Sequence, residues 1–419
     1  MNAISRLADV RINADRLWDS LMQMAKIGAT AKGGVKRLTL TDLDRQARDL
    51  FVAWCKEAGL AVSVDGVGNI FARRSGREAG AAPVVSGSHL DTQPSGGRFD
   101  GCYGVMAALE VARTLNDRGI ETQLPFEVAM WTNEEGSRFL PVMGASGAFA
   151  GVHTVEEILS ACDFDGIAFG DALRAIGYAG AAPVGGRPLA AYFEAHIEQG
   201  PILENTGNTV GVVTGALGQR WFEVTVGGMD AHAGPTPMQL RRDALLGASF
   251  LIQEVNRLGK GTEHSRGTVG MIANRPNSRN VVPGETVFSV DFRDTDVAGL
   301  DRMEQGLREA SARIATEQRL DIGVRQTIFF PPCRFDQTCV AAVRDGAARL
   351  GYRHMDIVSG AGHDAVYIAR VAPTAMIFVP CEGGISHNEI ENAKPEDLAA
   401  GCNVLLQAVL AKAGASAFL

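Results

Sequence analysis

The sequence predicts an α/β fold interrupted by a second, separately folded unit, and three observations carry that reading. Residues 60–135 alternate short β-rich runs, "AVSVDGVGNIFAR", "APVVSGSHLD" and "PFEVAMWTN", with a helical pattern from about Tyr103 to Asn116. This is the βαβ signature of a sheet with helices on its faces. From Arg220 the order becomes strand "RWFEVTVGG", helix "MQLRRDALLGASFLIQEVNRL", strand "GTVGMIA", strand "GETVFSVDFRD", helix "VAGLDRMEQGLREASARIATEQ" and strand "LDIGVRQTIF". That β-α-β-β-α-β order is the split arrangement of a ferredoxin-like unit, and it reads as an insertion. After it, "QTCVAAVRDGAARLGY", "TAMIFVP" and "PEDLAAGCNVLLQAVLAKAG" resume the first pattern. The expected boundaries are therefore 1–214 and 332–419 for the divided domain and 215–331 for the insertion, with glycine-rich "TGALGQ" and "PPCRFD" as hinges.

Composition bounds the function. A chain of 419 residues at 46% hydrophobic content can bury a large core and fill two domains. Forty basic against 48 acidic residues leave a net charge of −8 without a long basic run, which argues against a nucleic-acid partner. The opening "MNAISRLADVRINADRLW" carries charges through its first turns and does not read as a secretion signal. No run approaches the roughly 18 apolar residues of a membrane span, so no membrane partner is expected. Seven cysteines without CxxC spacing suggest free thiols in a reducing compartment, and a cytoplasmic protein is expected.

Four acid or histidine clusters follow expected strands, where open α/β sheets place their ligand sites: "SHLD" with Asp100, "TNEEGSRF", "EAHIEQG" and "GISHNEIE". Any one alone also reads as solvated loop charge or a satisfied histidine. Together they supply three histidines and several carboxylates with no cysteine, the donor set of a hard-to-borderline divalent metal. Zinc leads, with manganese or cobalt as alternatives. In "TNEEGSRF" two adjacent carboxylates on a bend point in different directions, so Glu135 can bind a metal while Glu134 stays free as a base.

With these motifs in view, the chain resembles the dinuclear zinc amidohydrolases of the aminoacylase and carboxypeptidase superfamily, and within them the hydantoinase/carbamoylase branch. The likeness runs from "GVGNIFAR" through "NVVPGETVFSVDFRD" to "GAGHDA" and "GISHNE". It implies a zinc-peptidase-like catalytic domain whose inserted ferredoxin-like unit serves dimerisation. It also implies two divalent ions per subunit, with His89 and His196 on one, Glu135 and His387 on the other, and Asp100 bridging them. Asp91 would orient the His89 imidazole, and the glycines of "PSGGRFDG" would turn the loop so that Asp100 meets the same ions.

The same resemblance assigns the chemistry. Glu134 would take the proton of a metal-activated water, and His232 of "GMDAHAGPTP" would reach the active site of a partner subunit as an oxyanion donor. Arg293 would clamp a substrate carboxylate, the alternative being a pair with Asp291 or Asp294. Gln219, Asn280 and the backbone at Gly362 would bind the substrate's polar groups, and His363 would stand behind the ligands. Cys102 and Cys381 are expected to pack only. The implied reaction is hydrolysis of the terminal ureido group of an N-carbamoyl amino acid by a homodimer. Allantoate hydrolysis is the alternative, and dipeptidase or aminoacylase activity is disfavoured by "HIEQG".

Overall fold

The computed structural model describes residues 9–417, so the first eight residues of the stretch read against a secretion signal lie outside it. Two compact units emerge, one running to Thr214 and resuming at Phe335, the other spanning Gly215–Arg334.

The first unit opens with α1 (Ala14–Met24) and α2 (Asp42–Glu57), capped by the Asn13 and Thr41 side chains. There follow β1 (Ala61–Val64), β2 (Ile70–Arg74), β3 (Val84–His89), α3 (Cys102–Asp117), β4 (Ile120–Thr122) and β5 (Phe126–Trp131). Short helices α4 (Gly144–Phe149), α5 (Val155–Ser160) and α6 (Phe169–Ala175) precede β6 (Ala191–Ile197), α7 (Ile202–Thr206) and β7 (Val210–Ala216). The second unit holds β8 (Gly218–Gly227), β9 (Ala231–His232), α8 (Ala244–Gly259), β10 (Arg266–Thr268) and β11 (Ile272–Arg275). It continues with β12 (Val281–Val282), β13 (Glu285–Asp294), α9 (Val297–Gln318), β14 (Asp321–Phe330) and β15 (Cys333–Arg334). The chain then adds α10 (Gln337–Leu350), β16 (His354–Ser359), α11 (Asp364–Ile368), β17 (Thr374–Val379), α12 (Pro395–Lys412) and β18 (Ala415–Ala417).

The central sheet of the first unit runs β1-β2-β5-β3-β6-β17-β7, with β16 on β7. Its middle strands β5, β3, β6 and β17 are parallel and buried along their whole length. Burial on both faces explains their continuous apolar character. Parallel strands also end together, so the carboxyl ends of β3, β5, β6 and β17 share one edge, the place where such sheets bind ligands. Helix α3 packs close against this sheet because Gly104 has no side chain: a Cβ there would stand 2.5 Å from the Ala195 carbonyl oxygen.

In the second unit the antiparallel order is β10-β13-β8-β14, with β11 also on β13. Alternate residues of β8 and β13, Phe222, Val224, Val226, Phe288, Val290 and Phe292, face a core completed by Leu251, Val255, Leu300 and Leu307 of α8 and α9.

Several local expectations change. The helix expected from Met238 begins at Ala244, because Met238–Leu240 forms one 3₁₀ turn and Asp243 caps the helix by accepting the Leu246 amide. "GTVGMIA" is two strands rather than one. Thr268 faces Asp291 while Ile272 faces Phe288, so this strand carries one more residue than its partner and bulges between them. The two segments expected as hinge loops are largely extended: "TGALGQ" lies in β7 and β8, and "PPCRFD" contains β15.

Candidate metal centre

His89 is the last residue of β3, and Glu134 and Glu135 follow β5 just past Asn133. Asp100 precedes Gly101, the N-cap of α3, while His387 lies in the loop after β17. His196 sits inside β6, one residue from its end, and not in a loop. Asn133, Gln199 and His387 all hold φ between +53° and +60°, a left-handed conformation that costs non-glycine residues energy. The bends at Gln199 and His387 turn their side chains toward Asp100, His387 staying half exposed, and Asn133 ties down the loop that carries Glu134 and Glu135 through the Phe139 and Pro141 carbonyls.

Two ligand groups result. In one, His196 Nε2 is 3.2 Å and His89 Nε2 is 3.8 Å from Asp100 Oδ1. In the other, His387 Nε2 is 3.3 Å from Asp100 Oδ2 and 3.4 Å from Glu135 Oε2. Within each group the candidate donor atoms lie within 4.8 Å of one another, and Asp100 belongs to both. Glu134 Oε2 approaches His89 Nε2 at 3.5 Å and stays outside both groups.

Neighbours hold these side chains in place. The His89 Nδ1 partner is the main-chain oxygen of Asp91 at 2.9 Å, its carboxylate being 3.8 Å away. Orientation by Asp91 is thus a main-chain effect, and its carboxylate instead accepts the Glu134 and Glu135 amides. His196 Nδ1 meets the Ile197 carbonyl at 2.9 Å. Both imidazoles therefore carry the proton on Nδ1 and turn Nε2 toward Asp100. Residues of the motifs that had been given no role complete the ring. Gln93 donates to Glu135 at 2.6 Å, Gln199 and Ser386 donate to Asp100 Oδ2 at 3.0 and 3.2 Å, and Glu391 accepts the Phe99 and Asp100 amides. Each stands within or beside a quoted motif, so the signal was their nearness to a predicted ligand. His363 is buried behind His196, ring centroids 4.5 Å apart, with Nε2 on Ser359. The neighbouring Gly362 lies against Met143.

The electrostatics ask for cations. Asp91, Asp100, Glu134, Glu135, Glu194, Asp364 and Glu391 are all buried. The nearby buried Arg48 is committed to Asp44, and Arg37 to backbone carbonyls. Without a bound cation, protons do the compensating. Burial, with Asp364, Glu135 and Asp100 as neighbours, holds the Glu134 carboxyl well above its usual range, and burial beside Asp100 lifts Glu135 to about 8. Burial opposes protonation of His196, but its hydrogen bond to Asp100 prevails and raises it to about 9. The Asp100 hydrogen bond likewise raises His387 to about 9. Burial and the nearby Glu194 hold the Asp364 carboxyl well above its usual range. A nitrogen-and-oxygen donor set with surplus buried negative charge fits divalent cations of the zinc, manganese and cobalt kind.

A model of peptidase family M20/M25/M40 matches residues 85–411. The chain belongs to this family. Over 96% of both chains it is 50% identical to the N-carbamoyl-L-amino-acid amidohydrolase of Rhizobium meliloti. It is 36% identical to the allantoate amidohydrolase of Escherichia coli, over 92% of this chain and 95% of that one. An amidase of the hydantoinase/carbamoylase family from Burkholderia multivorans has a solved structure that superimposes with a TM-score of 0.95 at 60% identity, covering 96% of this chain and 98% of the other. The M20 family is metal-dependent, and this member carries candidate ligand groups.

In the second unit of this M20 family member the remaining candidates form two pairs. Gln219 and Arg293 are directly opposed on β8 and β13, and Arg293 is held by Asp291 at 2.9 Å, whereas Asp294 takes the Ser265 hydroxyl. His232 on β9 faces Val281 beside Asn280, whose carbonyl accepts the Ala233 amide. The Gly234 amide donates to His232 Nδ1, which leaves Nε2 to carry the proton and point a donor outward. Arg241 fastens that loop through the Ala233 and Thr236 carbonyls. Cys102 and Cys381 are buried, and burial pushes their thiols up to about 11 and about 12, which suits packing.

Proposed function

We propose that this protein hydrolyses the terminal ureido C–N bond of an N-carbamoyl amino acid, releasing the amino acid, carbon dioxide and ammonia. The observation that carries the reading is Asp100, shared between two histidine-containing ligand groups with Glu134 free beside them. The names of its relatives point to the same substrate class. His89, His196 and Asp100 would hold one divalent ion, and Glu135, His387 and Asp100 a second, zinc foremost. Such ions polarise a carbonyl and lower the pKa of water from about 15.7 toward about 7, which a ureido carbon deactivated by two nitrogens requires.

The chain's own residues do the rest. Glu134 accepts the nucleophile's proton and returns it to the leaving nitrogen, its main chain held by Asp91. His232, with Nε2 as donor, stabilises the developing oxyanion in a partner subunit's site. Arg293 presents a planar fork to the substrate carboxylate beside Gln219, while Asn280 and the Gly362 backbone bind its polar groups. His363 backs the ligand His196. The working enzyme is a cytoplasmic homodimer paired through the inserted unit. Similarity to allantoate amidohydrolases supports a second reading, with allantoate as substrate. Ammonia release from purified protein given N-carbamoyl-L-amino acids, N-carbamoyl-β-alanine or allantoate separates them, and release from none would refute the amidohydrolase reading.

A further inference from the structure

We infer that Glu194 is a positioning residue that ties three motif-bearing segments together behind the metal ligands. It lies on β6 two residues before His196, hence on the same face of the strand, and is fully buried. Its carboxylate collects donors from distant parts of the chain. Ser88, next to His89 on β3, gives its hydroxyl to Oε1 at 2.7 Å. The Ala365 amide, in the first turn of α11 beside His363, gives to Oε2 at 2.9 Å. The Tyr192 hydroxyl stands 3.2 Å from Oε2 and 3.1 Å from the Gly87 carbonyl, and accepts the Trp131 indole N–H at 2.9 Å. Glu194 also lies within 4.8 Å of ligand atoms of His196 and His363.

Ser88 and Ala365 converge on one buried carboxylate, with the Tyr192 hydroxyl shared between it and the Gly87 carbonyl, and loss of that acceptor leaves buried donors unpaired. Ser88 and Ala365 are 106 and 171 residues from Glu194 in sequence. Among the described residues only this carboxylate bonds both, so it sets the depth of β3 against α11 and thereby the separation of His89, His196 and His363. Its carboxylate also lies close to His196, whose Nδ1 is held by the Ile197 carbonyl, and negative charge there favours a cation on Nε2 through space. An amide at position 194 keeps the shape but removes the charge and turns one acceptor into a donor aimed at a donor.

This inference rests on the reading of His89, Asp100 and His196 as a metal site, and the test separates the two. Chelator-stripped full-length protein is titrated with Co²⁺ alone by calorimetry and visible absorption, alongside thermal unfolding of the metal-free form. Wild type that binds no Co²⁺ refutes the metal site itself. With wild type binding, Glu194→Gln is expected to unfold within a few degrees of wild type yet to bind about 10- to 100-fold more weakly, with an altered cobalt spectrum. The fall in kcat should exceed any change in KM. Ser88→Ala, which removes one donor and leaves the charge, should weaken Co²⁺ binding in the same direction by less. This second variant also decides the matter if Glu194→Gln fails to fold. Wild-type cobalt affinity and spectrum in a folded Glu194→Gln, or in Ser88→Ala, would overturn the inference.

Discussion

Asp100 turns its two carboxylate oxygens to different histidines, Oδ1 lying 3.2 Å from Nε2 of His196 and Oδ2 lying 3.3 Å from Nε2 of His387. One side chain thus joins two ligand groups whose other members come from β3, β6 and the loops after β5 and β17. Asp100→Ala should lose metal at both groups, with affinity for each ion falling at least about 100-fold and turnover with it. Metal analysis after dialysis against a weak chelator checks this. Retention of two ions per subunit would contradict the shared role.

Glu134 stands beside His89 but outside either group. Glu134→Gln should keep metal content near wild type while kcat falls by about 10²- to 10⁴-fold, because an amide cannot accept the proton. Near-normal kcat in a metal-loaded variant would remove Glu134 from the role of base.

Gly101 adopts φ +64°, and a Cβ there would stand 2.3 Å from the His89 ring. Gly101→Ala therefore meets two penalties, about 1–3 kcal/mol for a sparsely populated backbone conformation with ψ −49° and about 1–3 kcal/mol for overpacking. A drop in unfolding free energy of that combined size is expected by denaturant titration, together with weaker metal binding as His89 is displaced. A variant as stable as wild type would show that the α3 cap can relax.

If His232 acts in a partner's site, mixing inactive His232→Ala with inactive Glu134→Gln under subunit exchange should restore about a quarter of wild-type activity. Random pairing makes about half the dimers mixed, each with one intact site. Proven exchange without recovery would refute the shared site.

The metal-free protein should lose stability as pH rises from about 6.5 to about 9. Glu135, lifted to about 8 by burial, and Asp91, lifted to about 7 by burial, prefer to stay protonated when folded. His196 and His387, raised to about 9, prefer to stay charged. The two carboxyl contributions are full only below about 4 and are lost as pH climbs through about 7 and about 8, while those of the histidines are full below about 6.5 and are lost through about 9. His89, lowered to about 4 by burial, acts oppositely but only below its ordinary range. Melting temperatures of chelated and Zn²⁺-loaded protein between pH 6.5 and 9 check this, with the loaded form expected to decline less.

Much of the fold was legible because periodicity is local. Helix α9 spans the residues its apolar repeat marks out, Val297–Gln318, with Asp296 capping it. The five helices between Ala14 and Glu57 and between Gly144 and Ala175 were not anticipated, although Leu17, Leu21 and Met24 of α1 show the spacing of a buried stripe. The bulge splitting β10 from β11 left no local mark, since it exists only in the register against β13.

For the site, the sequence by itself determined the donor types, their order and their placement beside strand ends, because a metal's preference for imidazole and carboxylate is a property of residue chemistry. Only the tertiary structure decided how they are held. It made the main-chain oxygen of Asp91, and not its carboxylate, the partner of His89, and it drew Ser88 and Ala365 onto Glu194. It also divided Asp100 between two histidines 191 residues apart, a count taken from their positions 196 and 387. Such pairings depend on how parallel strands end together and how loops fold back over that edge, a relationship among distant backbones that no local period encodes.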